Sequence, residues 1–132
     1  MTVALRWLRR PPVAFAVDAV LVTAFAAAGR ASHAESSAVA GALGTAWPFL
    51  VGTIVGWALV RLRAKDWPLG VGPGITVWFA TLVLGMLLRR VTGGGTAATF
   101  VVVAGVVLAL LLVGWRAVVA LPGSPARRVP FE

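Results

Sequence analysis

Asp18 stands alone inside an otherwise uncharged run from Val13 to Gly29. A carboxylate in such a run either takes a cationic partner and fixes the register of two helices, or exchanges a proton or cation with water. Leaving it unpaired in hydrocarbon costs at least about 2.5 kcal/mol. Arg30 lies twelve residues further on, about 18 Å along the same helix, and cannot reach it. Arg116, a few residues inside the cytoplasmic end of the fourth helix, is the expected partner, because the fourth helix of a cyclic four-helix arrangement neighbours the first. Asp18 and Arg116 are therefore the candidate intramembrane charge pair. A proton or cation site at Asp18 is the competing reading.

A second polar group gathers where the first and third runs end: Arg30, His33 and Glu35, with Arg89 and Arg90. Arginine forks can accept a lipid phosphate or a carboxylate, and a histidine titrates near neutrality, so the group is a candidate outer anion cluster. The alternative is a hydrated loop. His33 and Glu35 lack the further ligands that a metal needs, and the chain has no cysteine. A single histidine near a boundary does not supply the paired axial ligation of a haem inside a helical bundle. No catalytic residue, metal or cofactor is expected, and a lipid-modifying enzyme built on His33 and the outer arginines would lack a nucleophile.

The elements that hold these residues follow from composition. Of 132 residues, 60% are hydrophobic, and twelve Lys and Arg with four Asp and Glu are too few charges to coat a water-soluble globule. A mean hydropathy of +0.95 belongs to a membrane-embedded chain and excludes a soluble enzyme. Spans are predicted over about 13–29, 38–60, 74–88 (an uncharged run from 67) and 96–115, with a tail over 120–132. Ordered helix in the third is expected to begin near Gly74, because Gly70-Val71-Gly72-Pro73-Gly74 disfavours regular helix. The first run imitates a secretory leader, yet it is long for one and carries an acid, so it is expected to be retained. The fold class is all-α: one membrane domain, a four-helix up-down-up-down bundle.

Four crossings place the N-terminus, the second connection and the tail on one side with nine basic residues (Arg6, Arg9, Arg10, Arg61, Arg63, Lys65, Arg116, Arg127, Arg128), against Arg30, Arg89 and Arg90 on the other. The positive-inside rule then puts both termini in the cytoplasm of a multi-pass cell-membrane protein, with Trp7, Trp67 and Trp115 as an interfacial belt on that side. The net charge of +8 is clustered between apolar runs, without a basic helix face, so no nucleic-acid partner is expected. The bilayer itself and its anionic lipids are the expected partners. Pro48 should kink the second helix or remove one of its hydrogen bonds, and Gly52 and Gly56 form a small-xxx-small pair for helix packing, within the chain ahead of a homo-oligomer seam. Trp47, Phe49, Trp57 and Trp78 are read as packing residues.

Asp18, the stretch Phe25-Ala26-Ala27-Ala28-Gly29-Arg30-Ala31-Ser32-His33, then Trp47-Pro48-Phe49 and a closing Gly114-Trp115-Arg116 resemble domain-of-unknown-function family 3054, small four-span bacterial and archaeal membrane proteins. The resemblance covers most of the chain and implies four membrane helices without an assigned activity. The expected function is a structural, accessory or regulatory membrane component, alone or within a larger complex. The alternative is a small oligomeric transporter coupled to protons or cations through Asp18. Four spans with an acid in the first are similar in architecture to small multidrug exporters, but their antiparallel dimers need a balanced charge distribution, which nine against three does not give.

Overall fold

The computed structural model describes residues 7–31, 38–93 and 97–120, with the side chains of residues 30, 31 and 38–42 left aside. The described residues are all-helical: α1 (Pro11–Ala31), α2 (Ala38–Ala64), α3 (Val71–Val91), α4 (Ala98–Leu108), a π-helical segment (Ala109–Val113) and α5 (Gly114–Ala120). The last three run on as one rod, so four helices are long and apolar enough to cross a membrane: Pro11–Gly29, Leu43–Ala64, Val71–Val91 and Ala98–Ala120.

Two prolines open α1, where their missing N–H groups would have no partner in any case, and the Arg10 carbonyl accepts the Ala14 N–H at 2.8 Å. The second helix runs through Pro48 without a break, giving up the bond its nitrogen would have made to the Gly44 carbonyl. It also continues past the predicted end at residue 60, through Arg61 and Arg63, and stops where Lys65 takes a left-handed φ of 56°. The third helix starts at Val71, earlier than the glycine content suggested. Pro73 sits in its first turn, where no N–H is needed, and Gly70 holds an extended cap with its carbonyl accepting the Gly74 N–H at 2.9 Å.

The α2–α3 seam is the closest backbone contact. A Cβ placed on Gly52 would lie 2.7 Å from the Ala80 carbonyl oxygen and 2.8 Å from the Thr81 Cα, and one on Gly56 would lie 2.9 Å from the Val77 Cα. Residue numbers rise along one helix as they fall along the other. Between them the Thr53 and Thr81 hydroxyls lie 2.8 Å apart, each also close to its own helix's carbonyl, Phe49 at 3.0 Å and Val77 at 2.7 Å. Two hydroxyl protons thus serve three contacts. Gly52 and Gly56 pack within the chain.

Two apolar clusters complete the core. Val22, Phe49, Leu108 and Leu112 form one, with Phe49 set edge-on to Phe25 at 5.6 Å and pressed over Gly85. Ala14, Trp57 and Val77 form the other, with Phe15, Leu69 and Trp115 around them. The Trp78 indole ties α3 to α4 through the Gly105 carbonyl at 2.9 Å.

Candidate functional site

The second cluster encloses an ion pair. Asp18 on α1 has no exposed surface and Arg116 on α5 has 1%. The guanidinium meets the carboxylate as a fork, Nη1 donating to Oδ1 at 2.9 Å and Nη2 to Oδ2 at 2.7 Å. Two indoles finish the carboxylate: Trp115 Nε1 donates to Oδ1 at 2.9 Å and Trp57 Nε1 to Oδ2 at 2.8 Å. A carboxylate has about four acceptor directions, and each oxygen here takes two donors. The remaining guanidinium bonds run to backbone, Nε to the Pro68 carbonyl at 2.9 Å and Nη1 to the Leu112 carbonyl at 2.8 Å.

Each contributing element carries a local reason. After Lys65 turns the chain, Asp66 Oδ1 accepts the Trp67 N–H at 2.8 Å, and buried Pro68 presents its carbonyl to Arg116. The third helix contributes an absence: a Cβ on Gly74 would stand inside the Arg116 side chain, against Cδ. Gly74 makes room for the arginine stem. The fourth rod contributes phase. Ala104, Leu108, Leu112 and Arg116 are all buried, four residues apart. Twelve steps of a regular α-helix would leave Arg116 about 120° away from Ala104, because each residue turns about 100°. The π-helical segment absorbs one extra residue, so the offset falls to about 20° and Arg116 faces Asp18.

The fold therefore brings Asp18 and Arg116 together, from positions that the sequence had singled out. The donor roles of Trp57 and Trp115 were not anticipated. Trp115, expected in an interfacial belt, points its N–H at Asp18, whereas Trp7 and Trp67 are exposed beneath the guanidinium groups of Arg10 and Arg61, at 4.2 and 4.7 Å. Arg116 lies four residues before Ala120, a few residues inside the end of its rod as expected, although the helix runs beyond the predicted end of the span at 115.

The outer cluster is only partly within view. His33 and Glu35 lie outside the described residues, as does the Arg30 side chain, although Arg30 continues α1. Arg89 and Arg90 occupy the last turn of α3, with cations near the carbonyl end of the helix, and the Arg89 guanidinium lies 4.8 Å from the Phe100 ring.

Chemically, the Asp18 centre is a neutral ion pair whose carboxylate is fully coordinated and whose guanidinium uses four of its five N–H donors, drawn from α1, α2, the π-helical segment, α5 and the 65–70 connection, with α3 supplying the space. A family model described as "Protein of unknown function (DUF3054)" matches residues 15–119, a stretch that includes every one of these side chains. No curated protein and no solved structure matches the chain.

Proposed function

We propose, from the premise that the chain belongs to the DUF3054 family of proteins of unknown function, that it is a structural or accessory component of the cell membrane and neither a transporter nor an enzyme. The observation that carries this reading is the closure of Asp18. An ion-coupled carrier needs its acid to exchange with water during the cycle, and here all four acceptor directions are taken by Arg116, Trp57 and Trp115 in a site without exposed surface. The centre holds helices together. The deciding experiment is purification from native membranes with mass spectrometry of what is retained. Recurrent recovery of one larger complex is the expected result, and recovery of the isolated chain alone would count against the accessory role. Transport would be favoured instead if vesicles containing the protein discharge an imposed pH gradient faster than vesicles containing Asp18→Asn.

The same reading includes an up-down-up-down bundle with both termini in the cytoplasm. It is supported by eight basic residues against three, once Arg116 is left out as paired inside the bundle, and by the opposed register of α2 and α3. Because the chain has no cysteine, single cysteines report topology directly. Thr92→Cys, after α3, is expected to react with an impermeant maleimide on intact cells, and Ser124→Cys, in the tail, only after lysis. The reverse pattern would invert the protein in the membrane.

A further inference from the structure

An apolar groove of about 640 Å³ opens at the end of the molecule where α1 begins and α2 ends. Pro12 and Phe15 form one wall, Ile54 and Trp57 the other, and Arg61 and Trp67 stand at its mouth. From Ile54 to Arg61 is seven residues, so the groove follows α2 for about 10 Å. Its lining is hydrocarbon and ring faces, apart from the one guanidinium.

That guanidinium is held but not neutralised. Nη1 donates to the Lys65 carbonyl at 2.8 Å, and the group lies 4.7 Å from the Trp67 ring centroid. Among the described residues no carboxylate lies within ion-pairing distance of Arg61, in contrast to Arg116 with Asp18. Most of its N–H donors remain available to an anion, and its plane is set by the backbone carbonyl and the indole, which lowers the entropy lost on binding. Arg10 stands next to Pro11 at the same end, stacked on Trp7.

We propose that this groove is a binding site for one anionic phospholipid, with an acyl chain lying along α2 toward Ile54 and the headgroup phosphate on Arg61. The site rests on the reading of this chain as a membrane protein and adds the ligand class and the residue that recognises it. Apolar walls alone would take any lipid tail, and the unpaired arginine at the mouth selects for negative charge. A second, smaller groove on the other flank of α2 carries Arg63, an equal charge on the same helix that serves as the control.

The test uses the full chain, purified in mild detergent and titrated with phosphatidylglycerol or phosphatidylcholine, with bound lipid counted by native mass spectrometry. One phosphatidylglycerol is expected to be retained in preference to phosphatidylcholine. Arg61→Gln should weaken its retention about fivefold, the weight of one basic side chain near an anionic surface, and Arg63→Gln less than twofold. Ala58→Phe, which fills the groove without altering charge, should weaken retention of both lipids at this site, and Ile54→Phe serves if Ala58→Phe does not fold. Equal losses from Arg61→Gln and Arg63→Gln would reduce the effect to diffuse charge and overturn the site, as would full retention by the groove-filling variant. Neither outcome bears on the recovery of a larger complex or on the pH-gradient comparison at Asp18, so this proposal and the accessory role fail separately.

Discussion

Arg116→Met is expected to cost about 3–5 kcal/mol of stability, which is roughly two to four decades in the ratio of folded to unfolded protein. The side chain removed is among the largest fully buried ones, and its loss leaves a carboxylate without a cation in an apolar cluster. Asp18→Asn is expected to be similarly harmful for the complementary reason, since it strands a guanidinium whose stem Gly74 was left bare to admit. The informative variant is the double one. Asp18→Asn with Arg116→Met should be less destabilised than the sum of the singles by about 1–3 kcal/mol, because neither charge is left alone. It should not return to the parent value, because the indoles of Trp57 and Trp115 then share a weaker acceptor and the Pro68 carbonyl loses its donor. Equilibrium unfolding in mixed micelles, followed by tryptophan fluorescence, measures all four corners of the cycle. Strict additivity would mean that the fork seen at 2.7 and 2.9 Å carries no coupling, and the structural role assigned to it would fall.

Asp18 and Arg116 could be matched from the sequence because charge is scarce in the spans: one buried acid leaves few partners, and helix rise removes Arg30. The indole donors were harder to read. A tryptophan in an apolar run is usually explained by its area, and nothing in the spacing of Trp57 from Asp18 links them. Their signal was stoichiometric, since an indole N–H in hydrocarbon needs an acceptor and the carboxylate has about four acceptor directions. Gly74 figures in the sequence only as the point near which ordered helix is expected to begin, although its function depends on a side chain 42 residues away in the chain, a relation that only the packed structure contains. The π-helical segment left a fainter trace. Ala104, Leu108, Leu112 and Arg116 keep a strict spacing of four, which a helix of 3.6 residues per turn cannot hold on one face for three steps. Helix ends were misjudged by charge, because Arg61 and Arg63 do not stop α2; the turn at Lys65 does.

Gly52→Ala is expected to destabilise the protein by about 1–3 kcal/mol, and Gly52→Leu by more, for a reason distinct from that at the ion pair. The new Cβ would meet backbone, the Ala80 carbonyl oxygen at 2.7 Å and the Thr81 Cα at 2.8 Å, and backbone in a helix cannot rotate aside as a side chain can. The helices must separate, which also stretches the contact between the Thr53 and Thr81 hydroxyls at 2.8 Å. Membrane helices depend on such close approach, since lipid tails are as apolar as the side chains and burial from water contributes little to their association. Gly44→Ala is the matched control: it lies on the same helix with nothing within 4 Å of its added Cβ, and the gain in helix propensity should make it neutral or slightly stabilising. The pair also separates two uses of the Gly52–Gly56 motif. If the seam is the intramolecular one between α2 and α3, Gly52→Ala lowers the unfolding midpoint while the mass of the detergent-solubilised particle stays constant. If it joins two copies, the mass falls and the midpoint of the monomer matches that of Gly44→Ala. The first result is expected, because the space Gly52 leaves open is already occupied by α3 of the same chain.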